Sequence, residues 1–470
     1  MQGCWSRPRV RILCWGLLGL PGLLAGCHAS TDEPDAGPDL ASGATDAGAD
    51  LGPGDAGTPG DTGAPGDTGR PGDGGPGPDA GATDLGPSPD TGPSGDPTIP
   101  LATLRFAPPE PWADPIDDYL IAGAAATWVF LRGIHDLVVY RDRLYLGYGD
   151  ANANLGRVIP IEIRSCDAAS PPACTGEFTT AEEQIDRYRL FGDSLFIAGI
   201  DATEDGFLGN VYSRTPETDW QESRTLRGGV HVHDVAEFGG EIYAVGSGAD
   251  AEEWTAGEIF AHFWVSRDRG TTFEVLERHG NEGQGDARWV RLLPLGDRLY
   301  LFGYQTDAQG DLWRLPHAVY DGETVELLPT GHPFRRLFVT ETDLLGDGTA
   351  LVRGIDVSVS PTRAVLWVVD AEGQPVSLTQ FAGWEILDAA LHAPTGEVVL
   401  LAQDASDEWP RAEYQVAAWA CPVISMNNCT ELFNFSSRTG PASLVAWRGA
   451  LYLGTARGQI WRSVGVAPDE

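Results

Sequence analysis

The feature that most constrains the fold is a unit of about fifty residues that recurs seven times after residue 100. Each unit has an apolar stretch, a Gly/Asp turn, and a second apolar stretch ending near a glycine or small residue, as in DRLYLGYGD (142–150). Short apolar runs bounded by Gly and Asp are typical of β-strands. The aligned centres of the second stretches are 47 to 57 residues apart: Tyr145, Phe196, Tyr243, Tyr300, Val352, Val399 and Tyr452.

Seven such units, each with room for four short strands, predict an all-β fold, a single seven-bladed β-propeller over residues 100–470. The seventh unit ends soon after GQIWRSVG, one strand short. We expect LATLRFA (101–107) to supply that strand and close the ring. In a propeller the first strand of each blade lines the central channel, and its start lies at the same face as the end of the second strand.

Residues 1–26 have the features of an export signal: three arginines precede an apolar stretch (12–24) that is too short to span a bilayer. The end of this segment, LAGC (24–27), resembles the lipobox of bacterial lipoproteins, which implies acylation of Cys27 and anchoring in a lipid bilayer. Ordinary secretion with cleavage at small residues is the alternative. His28 stands where an aspartate would favour the inner membrane, so we expect the outer membrane or cell surface of a Gram-negative bacterium.

Residues 27–99 consist largely of Gly, Pro, Asp, Ala, Thr and Ser. Such a segment cannot bury enough apolar surface to offset the entropy of ordering, which predicts a disordered acidic tether. Glycine recurs at every third position from Gly54 to Gly75, as in collagen, but eight triplets favour an extended linker over a triple helix.

The chain is strongly acidic, with a formal net charge of −37, and all of its basic residues are arginines. The propeller region alone holds 54 acids and 27 arginines. A surface of this sign repels phosphates, so we expect no nucleic acid partner.

Four cysteines of the propeller region form two pairs, Cys166 with Cys174 and Cys421 with Cys429, both spaced C-x7-C and flanked by strand-like residues. In an exported protein this spacing predicts two hairpin disulfides. A metal site is the weaker interpretation, because neither pair has CxxC spacing.

The third unit contains SRDRGTTF (266–273), which resembles the Asp box, or BNR repeat, of sialidase-like propellers through Ser266, Asp268, Gly270, Thr272 and Phe273. The resemblance implies a hydrogen-bonded turn between the third and fourth strands of a blade, with a structural role. The two cysteine pairs fall at the same place in units one and six.

The start of the first strand reads Asp136, Arg187, Asp234 and Arg291 in units one to four. Alternating charges on neighbouring inner strands predict a network of ion pairs between blades.

Histidines and acids are expected to meet at one rim of the channel, because six of the seven second strands end in an aspartate. His231 and His233 are predicted to share one face of their strand. Two rim loops add a tryptophan beside acids. The alternative is that the acids cap turns and the histidines bind backbone. The binding candidates are His135, His231, His233, Arg187, Arg288, Asp150, Asp201, Trp254 and Trp409.

The sequence Asp150-Ala151-Asn152-Ala153-Asn154 carries alternating oxygen ligands, as calcium loops do. Its glycine comes one place late, at Gly156, and no acid follows at the bidentate position. Calcium at Asp150, Asn152 and Asn154 is therefore a candidate cofactor, beside the interpretation that no cofactor binds.

These features favour a membrane-anchored, extracytoplasmic binding or scaffold module with a carbohydrate or protein ligand at the channel mouth. The alternative is an enzyme, either a sialidase-like glycoside hydrolase or a His-dependent polysaccharide-cleaving enzyme that uses His135, His231 and His233. For a sialidase grip on a carboxylate, Arg132, Arg187, Arg288, Arg335 and Arg336 are available. Against a sialidase, there is one Asp box rather than several, and there are seven units rather than six.

Overall fold

The computed structural model describes residues 98–116, 133–149, 161–200, 202–204, 206–249, 259–280, 285–307, 309–346, 348–360, 362–378, 381, 383–405 and 413–467. The export signal, Cys27 and nearly all of the predicted tether lie outside these residues. Within the described part of the chain, no helix has the length and apolar character needed to cross a membrane.

The described strands form seven antiparallel sheets, the blades of the predicted propeller. Two short strands, β1 (Arg105–Phe106) and β2 (Glu110–Ala113), precede the first blade. Blades 1 to 3 contain, from the channel outward, β3 (Asp136–Tyr140), β4 (Arg143–Gly147), β5 (Glu162–Cys166) and β6 (Cys174–Thr179); β7 (Tyr188–Phe191), β8 (Ser194–Ala198), β9 (Leu208–Arg214) and β10 (Gln221–Arg227); β11 (His231–Phe238), β12 (Glu241–Gly248), β13 (Phe260–Ser266) and β14 (Glu274–His279).

Blades 4 and 5 contain β15 (Ala287–Leu295), β16 (Arg298–Thr306), β18 (Ala318–Tyr320) and β19 (Val325–Leu327), with β17 (Leu312–Arg314) also paired to β16; β20 (Leu337–Gly346), β21 (Thr349–Asp356), β22 (Arg363–Val369) and β23 (Pro375–Ser377). Blades 6 and 7 contain β24 (Trp384–His392), β25 (Glu397–Asp404), β26 (Tyr414–Pro422) and β27 (Thr430–Ser437); β28 (Pro441–Trp447), β29 (Ala450–Thr455) and β30 (Ile460–Val466).

The N-terminal segment closes the ring, as the sequence predicts. Strand β1 pairs antiparallel with β30, Arg105 opposite Val466, and so becomes the fourth strand of blade 7. Strand β2 pairs with the other half of β30. Just before β1, the backbone amides of Leu101 and Ala102 donate to the carboxylate of Glu397 in blade 6, at 2.6 and 3.0 Å. The first described residues are therefore bound to the last two blades.

The repeat positions read from the sequence form the core between blades. All seven aligned residues, from Tyr145 to Tyr452, are at most 3% exposed. Their aromatic rings contact those of neighbouring blades, for example Tyr145 with Tyr188 at 5.9 Å and Tyr243 with Tyr320 at 5.5 Å between ring centroids. Burial of each such side chain contributes about 1.5–3 kcal/mol, so each of the seven positions stabilises the packing between blades.

Three hairpins between third and fourth strands carry the predicted clasps. Cys166–Cys174 and Cys421–Cys429 are disulfides in blades 1 and 6, as predicted. In blade 3, Asp268 accepts from the Thr272 amide at 2.8 Å and from the Thr272 hydroxyl at 2.6 Å, and Ser266 Oγ accepts from the Gly270 amide at 2.7 Å. Phe273 is buried beneath this turn. The two disulfides indicate folding in an oxidising, extracytoplasmic compartment.

Candidate functional site at the channel

A β-bulge near the start of the inner strands positions the channel residues. In blades 3 to 7 two residues of the inner strand oppose one residue of the second strand, and the bulge in β11 lies between Val232 and Asp234. Bulges re-aim side chains, and His233 is the extra residue in β11. The residues that directly follow the bulges are Asp234, Arg291, Glu341, Asp388 and Ser443.

Arg187 bridges the channel. Its guanidinium, in blade 2, pairs with Glu341 and Asp343 in blade 5. Blades 2 and 5 lie three positions apart in a ring of seven, so this arginine spans the opening. The surrounding acids raise the pKa of Arg187, although burial alone would lower it. We call the connected group of Asp186, Arg187, Arg189, Asp234, Arg291, Glu341, Asp343, Arg353 and Asp388 the channel network.

Two further arginines tie the network around the channel. Arg189 donates from Nε and Nη2 to the Asp234 carboxylate at 2.8 and 2.6 Å, and from Nη1 to the Thr342 carbonyl at 3.1 Å. Arg291, only 1% exposed, donates to Glu341 at 2.7 Å and to Asp186 at 3.2 Å. Burial alone would raise the pKa of Glu341, but Arg291, Arg187 and Arg353 together hold it well below its usual range.

Three aspartates, in blades 1, 3 and 6, each accept a hydrogen bond from a backbone amide of the following blade. Asp136 accepts from the Tyr188 amide at 2.7 Å, Asp234 from Leu292 at 2.9 Å and Asp388 from Leu444 at 2.7 Å. Burial raises the pKa of Asp136. For Asp388, burial raises the pKa to about 7 although Arg353 lies beside it. The carboxyl groups of Asp136 and Asp388 therefore resist ionisation, unlike that of Glu341.

The predicted inter-blade network is present, but its pairing differs from the simple alternation of the four sequence positions. Among the described contacts, Arg187 does not pair with Asp136 or Asp234 on the adjoining blades; it crosses to blade 5. Arg189, two residues further along the same strand, takes Asp234 instead. The ring also continues with Glu341, Asp388 and Ser443, which the sequence analysis did not identify.

The mouth group consists of His231, His233 and Arg288. The rings of His231 and His233 stack with centroids 5.8 Å apart, so the two residues share a side as predicted. Nδ1 of His231 lies 2.8 Å from the Ile200 carbonyl and must donate to it, which leaves the Nε2 lone pair as acceptor. Burial and the nearby Arg288 lower the pKa of His231 to about 3, and burial, His231 and Arg288 hold that of His233 well below its usual range, so both rings are neutral.

Two members of the mouth group are weakly held. Nε2 of His233 is 3.5 Å from Ser247 Oγ, and its buried Nδ1 has no hydrogen-bond partner among the described residues. Arg288 is 5% exposed. Among the described residues its nearest acid is Asp286, whose Oδ2 lies 3.9 Å from Arg288 Nη2. A buried guanidinium beside an unsatisfied imidazole nitrogen can bind an anionic, hydrogen-bonding group.

His135 is separate from the mouth group. Its Nε2 donates to the Ile185 carbonyl at 2.8 Å, between blades 1 and 2, and no described contact joins it to His231 or His233. Nδ1 is then its acceptor. The three histidines of the predicted enzyme therefore do not form one described constellation.

Of the three described second-strand acids, Asp307 and Asp356 cap turns, as the structural alternative expected, whereas Asp404 accepts from the Gln415 amide at 3.0 Å. Asp307 accepts from the amides of Gln309 and Asp311 at 2.9 and 3.0 Å, and Asp356 from that of Ser358 at 3.0 Å. No group of three or more His, Cys, Asp or Glu residues in the described ranges is arranged to hold a metal ion. Several candidates lie outside the described residues: Arg132, Asp150, Asn152, Asn154, Asp201, Trp254 and Trp409.

Comparison with known proteins identifies no family. No family model matches this sequence, and no curated protein matches it. Solved structures with a similar fold include the WD40 domain of Neurospora crassa Pan2, with 9% identity and a TM-score of 0.43, which covers 73% of this chain and 91% of that one.

Two carbohydrate-active propellers are similar at the same low level. A GH74 xyloglucanase from Xanthomonas campestris has 13% identity and a TM-score of 0.43 and covers 77% of this chain and 55% of that one. A PL25 ulvan lyase has 10% identity and a TM-score of 0.40 and covers 77% and 96%. At this identity the comparison concerns the fold alone.

Proposed function

We propose that this chain is an exported, lipid-anchored propeller that binds a ligand at its channel mouth and acts as a binding or scaffold module. The observation that carries the proposal is the crossing of the channel by Arg187, which places a paired charge across the opening. A channel crossed in this way suits a ligand bound at its mouth better than a passage through the ring.

The chemistry of the mouth favours an anionic ligand, such as the carboxylate of an acidic sugar or of a protein side chain. Arg288 supplies the positive charge, and the neutral His233 supplies an unsatisfied ring nitrogen. A guanidinium held by one distant acid gains more from a new carboxylate than one already paired. We favour carbohydrate as the ligand class, with a protein partner as the alternative.

Two features of the N-terminal sequence support anchoring. The lipobox-like LAGC at 24–27 and the tether that follows would hold the propeller away from a bilayer surface. The Ser266–Phe273 turn, with its Asp268 hydrogen bonds, supports kinship with Asp-box propellers. Outer-membrane or cell-surface placement follows from His28 after Cys27.

The first experiment measures retention and cleavage of neutral and uronate-containing oligosaccharides by the purified full chain. We expect uronate oligosaccharides to be retained uncleaved, and Arg288→Gln to weaken retention about tenfold, the loss of one charge-assisted hydrogen bond. Arg438→Gln, which removes an exposed arginine elsewhere, is the matched control and should bind normally. If Arg288→Gln does not fold, the same retention measurement is made with His233→Leu. Equal retention by mouth variant and control would remove the mouth as the binding site.

Anchoring has its own test. Expressed in a Gram-negative host, the chain should partition with outer membranes, and Cys27→Ala should release it to the soluble fraction. Mass spectrometry of the N-terminal peptide reads the acylation directly. An unmodified Cys27 would reject the lipoprotein proposal and leave ordinary secretion.

The second candidate function is an enzyme that cleaves acidic polysaccharide. A neutral His231 ring near Arg288 favours it, because a neutral imidazole can accept a proton. A pKa of about 3 makes that base weak, since catalytic bases work best with a pKa near the working pH. Cleavage that disappears in His231→Gln would make this candidate the correct one.

A further inference from the structure

An open cleft of about 480 Å³ lies between blades 4 and 5, away from the residues described above. The connection between the blades forms most of its wall, from Thr330 to Arg336, and the turn residues Gln374 and Pro375 complete it. None of its lining residues belongs to the channel network or to the mouth group. Its volume is that of a ligand site for a small molecule.

Two consecutive arginines line this cleft in a propeller that has twice as many acids as arginines. Arg335 donates to the Leu315 carbonyl at 2.6 Å, and no carboxylate among the described residues lies within 4.0 Å of its nitrogens. Arg336 is exposed, with its guanidinium 5.4 Å from the centre of the Trp367 ring. The lining is therefore cationic where the protein as a whole is anionic.

The acid nearest to Arg336 is already engaged. Asp356 Oδ2 is 3.7 Å from Arg336 Nε, while Oδ1 accepts from the amide and hydroxyl of Ser358 at 3.0 and 2.6 Å. Hydrogen bonds from Ser358 and the arginines Arg336 and Arg363 outweigh burial and lower the pKa of Asp356. One carboxylate thus faces the positive charge of two guanidinium groups.

Arg314 and His332 lie close to Arg335 and Arg298, respectively. Burial and the nearby Arg335 lower the pKa of Arg314, and burial and Arg298 lower that of His332. Nδ1 of His332 accepts from the Phe334 amide at 3.3 Å, which leaves the ring proton on Nε2 as a donor. Crowded positive groups repel one another, and a bound anion removes that repulsion.

We propose that this cleft binds a tetrahedral oxyanion, a sulfate or phosphate group borne by a small molecule or a sugar. Arg335 and Arg336 bind its oxygens, His332 donates from Nε2, and Trp367 holds the Arg336 guanidinium in place. The planar guanidinium group of arginine matches the geometry of such oxyanions. Stacking on Trp367 restricts the Arg336 side chain beforehand, so less conformational entropy is lost on binding.

The test is isothermal titration calorimetry of the full chain with sodium sulfate and with sodium phosphate, at constant ionic strength against chloride. We expect saturable binding that weakens at least about tenfold in Arg335→Gln/Arg336→Gln. The double variant removes charged hydrogen-bond donors, and hydrogen bonds to charged groups contribute more free energy than those between neutral groups. Arg438→Gln is the charge-matched control and should bind like the parent. If the double variant does not fold, the exposed Arg336→Gln carries the test.

Two outcomes would overturn the proposal: no saturable heat with either anion, or equal weakening in Arg438→Gln. Titration with a sugar sulfate and with the matching sugar phosphate then identifies the source of the oxyanion, and tighter binding of either supports the cleft. Arg288→Gln should leave unchanged the part of the binding that Arg335→Gln/Arg336→Gln removes, so failure of the mouth proposal and failure of this one are separate results.

Discussion

His233 and Asp234 are consecutive residues of β11, yet they belong to two different environments. Asp234 accepts two hydrogen bonds from Arg189 and two from backbone amides, whereas His233 has one long contact and a buried nitrogen without a described partner. The bulge at this place separates them. Polar residues on one strand can therefore differ in role: Asp234 holds neighbouring blades together, whereas His233 keeps a ring nitrogen that could bind a ligand. Their hydrogen-bond partners, not their positions in the sequence, distinguish the two.

The largest expected effect comes from breaking the channel network at Arg187. Arg187→Met removes one of the two described arginines that pair with Glu341 and one of the two that pair with Asp343, so the free energy of unfolding should fall by about 3–5 kcal/mol. Urea denaturation monitored by tryptophan fluorescence measures it. The mouth variant Arg288→Met is the control, and a cost as large as that of Arg187→Met would contradict the division between network and mouth.

The next effect concerns the pH dependence of stability at Asp388. Its folded-state pKa of about 7 lies above the ordinary value of 3.8, so it costs stability progressively as the pH rises from about 4 to 7. Relative to the parent, Asp388→Asn should therefore gain roughly 1.4 kcal/mol per pH unit between pH 5 and 7, and nothing further above that. Denaturant midpoints of both proteins from pH 5 to 9 measure this difference. A difference independent of pH would show that Asp388 is ionised throughout.

A smaller loss is expected from Asp234→Asn. The amide keeps the shape but removes the charge that Arg189 pairs with, at a cost of about 2 kcal/mol, typical of a charged hydrogen bond. Thermal unfolding at fixed pH measures it. The exposed Glu274, paired with Arg267 at 2.8 Å, is the matched carboxylate, and Glu274→Gln should cost less than about 1 kcal/mol.

The smallest effect is expected one residue away. His233→Leu removes a nitrogen with no described partner, so the free energy of unfolding should change by less than about 1 kcal/mol in either direction, while ligand retention falls. Denaturation and the oligosaccharide assay on one sample separate the two effects. A fall in the free energy of unfolding as large as that of Asp234→Asn would show that His233 stabilises the fold, as Asp234 does.

The fold was largely accessible from the sequence, because the repeat spacing, the buried aromatic positions and the missing strand are one-dimensional patterns. The pairing inside the channel was not. An arginine is long enough to reach blade 5 from blade 2, so strand alignment alone does not identify the partner of Arg187. The bulges after Val339 and Ile386 shift the register by one residue. Asp234 shares this shift, but Glu341 and Asp388 precede the aligned residues Val352 and Val399 by 11 positions, whereas Asp234 precedes Tyr243 by nine. An alignment on the second strands therefore passes over Glu341 and Asp388.

Ring closure imposes an order of events on synthesis and export. The strand that completes blade 7 begins at Arg105, among the first propeller residues to emerge, whereas its partner β30 ends at Val466. Six blades can form from contacts made within their own stretch of chain, but the seventh must await β30, the last of the described strands. Pairing so distant in sequence forms slowly. Until then Leu101, Phe106 and the edge of blade 6 stay uncovered, so a chain that stalls late in translocation would be the species most exposed to proteolysis.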